Sequence, residues 1–168
     1  MPNQLNSVLV RALRLTWLTG VLVALFGVGT ALADDGDGVE IGGHVGLVVP
    51  WTVIQDDGIG GTTTQLWDHF QMGFPMGVTF KNVLGPVAFD MEFVPAFDEK
   101  NNINLTIHPG LIYGTSFGAF GLRAAFVTGD GPNAVGLTPL FAVPVWEVSE
   151  KSTLFLELDL PIRFPKGG

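Results

Sequence analysis

Seven stretches of this chain alternate large apolar residues with polar or small ones at a period of two. Side chains recur on one face of a strand at every second residue, whereas a helix repeats at 3.6, so the pattern specifies an all-β protein. In the first run Val39, Ile41, Val45, Leu47, Val49 and Trp51 take one face, and Glu40, Gly42, His44 and Gly46 the other. The second sets Phe70, Met72, Phe74, Met76, Val78 and Phe80 against Gln71, Gly73, Pro75, Gly77 and Thr79. The third sets Val87, Phe89, Met91 and Phe93 against Ala88, Asp90 and Glu92; the fourth sets Ile103, Leu105, Ile107 and Leu111 against Asn104, Thr106 and His108. The fifth opposes Phe120, Leu122, Ala124 and Phe126 to Ala119, Gly121, Arg123 and Ala125. The sixth, residues 135–148, is apolar on both faces, which leaves its orientation open. In the seventh, Leu154, Leu156, Leu158, Leu160, Ile162 and Phe164 face away from Glu157, Asp159 and Arg163. Runs of roughly 11 residues match the ~9–11 that a tilted strand needs to cross a bilayer. Soluble strands usually stop at about 5–6.

Composition narrows the class further. Hydrophobic residues make up 47% of the 168 and charged residues 14%, against about 25% charged in ordinary soluble domains. The apolar content excludes disorder, and the lack of cysteine excludes a disulfide scaffold or a Cys-ligated zinc site. A net charge of −8 argues against a nucleic-acid partner, which needs a basic face.

The N-terminus reads as an export signal. Arg11 and Arg14 precede an apolar run from Leu15 to Val28, which leads to Ala31-Leu32-Ala33 and then to Asp34-Asp35-Gly36-Asp37. Basic start, apolar core and small-x-small exit predict a signal peptide over 1–33, cut after Ala33, so that the mature chain begins at Asp34. Removal leaves residues 34–168 as one β-barrel domain and takes away two of the eight basic side chains. No later stretch is apolar for the ~18 residues that a membrane helix needs.

Connections alternate in character. Residues 52–66 are predicted as a long polar loop, Lys81-Asn82 as a tight turn, and 98–102 as a polar loop. Gly114-Thr115-Ser116 is predicted tight, 129–133 polar, and 149–152 short. Longer loops at one end and turns at the other suit an up-and-down barrel, with the long loops outside the cell.

Over residues 39–164 the chain resembles, in architecture, the small bacterial outer-membrane β-barrels of the OmpA type. The resemblance implies an antiparallel up-and-down barrel in the outer membrane of a Gram-negative cell, with lipid as its partner and aromatic girdles at both interfaces. Trp51, Phe97, Phe126 and Phe164 fall at outer strand ends, and Phe80, Tyr113, Phe117 and Trp146 at inner ends. Such barrels have an even strand number. Seven runs therefore predict an eighth strand missing after Gly168, with the first and seventh runs either separated by a gap or in strained contact. Prolines 75, 95, 109, 139, 144 and 161 interrupt the runs and must sit where a missing ladder donor is tolerated.

The opposite arrangement is a soluble exported β-barrel, its apolar face turned inward around a small apolar ligand. The many Gly and Ala residues on the polar face favour the membrane form, because small residues suit a narrow barrel interior. Counted from the inner strand ends, His44, Glu92, His108, Arg123 and Asp159 fall at five or six steps. They are expected to meet in one polar layer that fills the barrel and blocks conduction, with Arg123 between Glu92 and Asp159.

No site of catalysis is expected. The mature serines, Ser116, Ser149 and Ser152, lie in inner turns far from His44 and His108, without the nucleophile–base pair that hydrolysis needs. The two histidines with Glu92 or Asp159 carry metal-ligand chemistry, but hydrogen-bonded interior histidines account for them, so no metal is expected. Asp34-Asp35-Gly36-Asp37-Gly38 lacks the EF-hand spacing, and Gly58-Ile59-Gly60-Gly61 follows no helix and carries no lysine, so no cofactor is expected. The role expected is structural, or interaction with an envelope or surface partner.

Overall fold

The computed structural model describes residues 17–18, 27–32, 38–50, 52–56, 62–66 and 70–165. All regular structure in it is antiparallel β. The strands are β1 (Trp17–Leu18), β2 (Gly27–Leu32), β3 (Glu40–Val45), β4 (Thr52–Asp56), β5 (Thr62–Leu66), β6 (Gln71–Gly73), β7 (Met76–Leu84), β8 (Val87–Asp98), β9 (Ile103–Gly114), β10 (Ala119–Gly129), β11 (Ala134–Ser149), β12 (Ser152–Asp159) and β13 (Ile162–Pro165). No described helix is long and apolar enough to cross a membrane.

The predicted runs map onto these strands with small shifts. β8, β9 and β10 reproduce runs three to five, and their ladders keep one register for most of their length. The main sheet follows the order β1-β13-β11-β10-β9-β8-β7-β3-β2-β12, and β11 pairs β12 as well. Strands consecutive in sequence are mostly neighbours in space, as short connections require.

Prolines account for most departures from regularity. Pro75 separates β6 from β7, and its carbonyl accepts a hydrogen bond from the Gly46 amide. Pro144 stands at a register shift between β11 and β12, and Pro161 between β12 and β13. Pro109 lies opposite Met91 within the β8–β9 ladder. The first run ends as a regular strand at Val45, but a bridge from Val48 to Gly73 keeps it beside the sheet.

Three expectations are corrected. Thr52–Asp56 and Thr62–Leu66, read as part of a polar loop, pair as antiparallel strands β4 and β5, with Ile54 opposite Thr64; Val53, Ile54 and Thr62-Thr63-Thr64 are β-branched strand formers. The turn assigned to Lys81-Asn82 lies at Gly85-Pro86; β7 continues to Leu84 through a register shift, with Asn82 and Gly85 at positive φ. Between the first and seventh runs there is neither gap nor direct contact. Gly27–Leu32, from the segment read as signal, pairs β3 on one side and β12 on the other. Trp51 and the bulk of residues 1–33 lie outside the described residues.

Burial is inverted relative to a soluble protein. The buried polar residues are Asp90, Glu92, His108, Arg123, Thr138, Glu157 and Asp159; buried hydrophobics are only Ala125, Ala134 and Leu140 among the described residues. Large apolar side chains such as Leu111, Phe120, Leu122, Phe126 and Leu137 are exposed on the opposite face. The sixth run, open in the sequence, sets Thr138 and Leu140 on the buried face and exposes Leu137.

Candidate functional site

The site is the ionic layer on the polar face. Its construction depends on glycines that stand between charged partners. Asp90, Gly110 and Arg123 are in register on β8, β9 and β10. Gly110 has no side chain to obstruct the reach, and a Cβ there would meet Arg123 Cγ at 2.6 Å. Arg123 Nε therefore donates to Asp90 Oδ2 across a whole strand, at 2.9 Å. The same device recurs two residues further along β8. His44, Gly77 and Glu92 are in register on β3, β7 and β8, a Cβ on Gly77 would strike the His44 ring, and His44 Nε2 lies 3.2 Å from Glu92 Oε2.

Arg123 is the hub. Its Nη1 donates to Glu157 Oε1 at 2.6 Å and lies 3.3 Å from Glu92 Oε1. Thr79 Oγ1 donates to the remaining Asp90 oxygen at 2.7 Å. Hydrogen bonds that satisfy the other lone pairs are the condition for a buried ion pair to be tolerated. His44 Nδ1 also lies 3.9 Å from Asp90 Oδ1, so both ring nitrogens face carboxylates.

A second hub extends the layer. His108 stands opposite Glu92 on the next strand, with Nδ1 3.1 Å from Glu92 Oε1. Arg163 Nη2 lies 3.2 Å from His108 Nε2, and Nη1 donates to Thr138 Oγ1 at 3.0 Å. A guanidinium has no acceptor, so Nε2 accepts and the ring proton sits on Nδ1, pointing at Glu92.

The five residues expected in the layer are all on the buried face or next to it. His44, Glu92, His108 and Arg123 are joined through Glu92. Asp159 is buried, but its Oδ1 has no hydrogen-bond partner, and the carboxylates directly on Arg123 are Asp90, Glu92 and Glu157. The expectation that Arg123 separates Glu92 from Asp159 is corrected accordingly. Asp90, Glu157, Thr138 and Arg163 were not assigned to the layer. Asp90, Glu157 and Arg163 stand on the polar side of the alternation, which was the available signal; their depth was not legible.

A cavity of about 530 Å³ adjoins the layer on the side of the 114–118 and 149–152 turns. His44, Asp90, Arg123 and Glu157 line it, whereas Glu92, His108, Thr138 and Asp159 do not. Of the layer, the cavity touches this row of charges. Among the described residues no group of three or more histidines and carboxylates is arranged to hold a metal ion.

Of the residues assigned to aromatic girdles, Phe97, Tyr113, Phe126, Trp146 and Phe164 are exposed on the apolar face. Phe80 is half-buried and packs against Phe89 at 6.2 Å between ring centroids. At the other end of β8, beyond the apolar band, Asp98 organises the 98–102 turn. Its side chain accepts from the Asn102 side chain at 2.8 Å and from the Asn102 and Lys100 amides. These bonds, the Asn102 side chain foremost, hold its carboxyl below the usual aspartate range.

Comparison with protein-family models, with curated proteins and with solved structures finds no match for this chain.

Proposed function

We propose that the protein is a small outer-membrane β-barrel with a structural or partner-binding role, exported by its N-terminal segment and filled by the Arg123 layer so that it does not conduct. The observation that carries this reading is the inverted burial: an arginine and a glutamate, Arg123 and Glu92, are 1% and 2% exposed, while Leu122, next to Arg123, is 50% exposed. In water that arrangement forfeits the main driving force of folding. In lipid it is the stable one, because the apolar face meets acyl chains and the charges satisfy one another inside.

Closure is supported by the pairing of β12 with both β2 and β11, which gives each of these strands a neighbour on either side. An eight-stranded barrel has an interior just wide enough for side chains to fill, and Asp90, Glu92, Arg123 and Glu157 are buried together within it. The partners of this reading are outer-membrane lipid along the apolar face and an envelope or surface molecule.

Extraction and electrophoresis test it together. The protein should leave cell envelopes only with detergent, and its gel mobility should change on heating. It should give no large steady conductance in planar bilayers. Release by osmotic shock alone would mean a soluble exported barrel around an apolar ligand; a large conductance would mean an open pore.

A further inference from the structure

The segment that the sequence marks for removal contributes a strand. Gly27–Leu32 pairs Ile41–Val45 on one side and Ser152–Phe155 on the other, antiparallel to both. β3 and β12 therefore run parallel to each other, and a single strand of opposite direction is what joins them into one antiparallel sheet.

The residues of this strand repeat the device that builds the ionic layer. Gly29 stands in register with His44, which has Gly77 in register on its other side. Gly27 stands in register with Phe155, whose ring meets the His44 ring edge-on at 6.4 Å. Glycine thus occurs on β2 opposite two bulky side chains of the polar face, as Gly77 and Gly110 occur elsewhere. A leader needs only an apolar core of about 7–15 residues, and Leu15–Phe26 supplies that length without Gly27–Leu32.

We propose that Gly27–Leu32 is retained as a strand of the folded protein, and that any processing occurs N-terminal to Gly27. The proposal rests on the barrel reading. If residues 1–33 were removed, the facing edges of β3 and β12 would be left without this partner, and each unpaired backbone group in lipid costs several kcal/mol.

The test is the intact mass of the protein purified from envelopes in detergent, measured on the species whose gel mobility shifts on heating. A mass that places the N-terminus at or before Gly27 is the expected result. A heat-shifting species that begins at Asp34 overturns the retained strand and leaves the barrel reading in place. Absence of any heat shift counts against the barrel itself. As a second readout, Gly29→Pro should abolish the heat shift of envelope-localised protein, because Gly29 lies inside a strand paired on both sides and proline there removes a ladder donor. An unchanged shift would overturn the proposal.

Discussion

Arg123 reaches Asp90 over Gly110, the residue between them on the intervening strand, and the salt bridge spans 2.9 Å with both side chains fully or almost fully buried. Charge pairing here is between second neighbours in the sheet, so it depends on the glycine as much as on the ions.

Replacing Arg123 by Leu should be severely destabilising. It removes the shared partner of Asp90, Glu92 and Glu157, and breaking a buried pair by deleting one member costs about 3–5 kcal/mol. Urea unfolding in lipid vesicles should show a loss in that range. Arg163→Leu should cost less, because Arg163 is half-buried, its hydrogen bonds go to a hydroxyl, an imidazole and carbonyls, and among the described residues the carboxylate acting on it is Asp159 alone, against three directly on Arg123. Equal effects of the two substitutions would remove Arg123 from its place as hub.

Gly77→Ala and Gly110→Ala should each destabilise by about 1–3 kcal/mol, the usual range for overpacking. The new Cβ meets the His44 ring and the Met91 carbonyl in the first case, and Arg123 and the Leu122 carbonyl in the second. Gly114→Ala, where a Cβ meets nothing within 4 Å, should change stability by no more than about 0.5 kcal/mol. The contrast between these positions is read from the same unfolding curves.

Leu122→Arg distinguishes lipid from water around the apolar face. Leu122 lies opposite Leu111 and Pro139 on the neighbouring strands. A cation on the lipid face near the bilayer midplane costs about 2–4 kcal/mol, whereas an exposed substitution in water changes stability by about 0.5 kcal/mol or less. Vesicle-reconstituted protein should show the larger loss. A neutral outcome would count against the membrane reading.

The 98–102 turn should respond to acid in one direction only. Asp98 accepts three hydrogen bonds as a carboxylate, and its folded-state pKa lies below the unfolded value. Its contribution is fully present above the ordinary aspartate range and is lost as pH falls through the depressed folded value. Amide exchange at Lys100 and Asn102 should therefore speed up, relative to the strand interiors, only below the ordinary aspartate range. Asp98→Ala should give the fast exchange at neutral pH. Protection that is unaffected by the substitution would show that the backbone alone holds the turn.

Strand content and the two faces were legible in the residues because the pleat acts locally. Val87 to Glu92 or Leu154 to Asp159 assign their own sides whatever their neighbours are, since each Cβ direction follows from the residue before it. The polar character of the layer, with His44, Glu92, His108 and Arg123 on one face, was legible for the same reason. The β4–β5 pairing was missed where threonines read as polar loop instead of as β-branched strand formers.

What the amino-acid sequence determined by itself was the all-β class, the runs from 70 to 164 and the side each charge takes. Which charge meets which was decided by the tertiary structure alone. Contacts across the sheet depend on the stagger between strands, and stagger is a property of pairs of strands that no single alternation encodes. A shift of two residues would preserve every face and still move Arg123 from Glu157 to another row. The same holds for β2. Gly27–Leu32 carries the composition of a leader, and its role as a strand becomes visible only when Val45 and Leu154 are both found beside Val28.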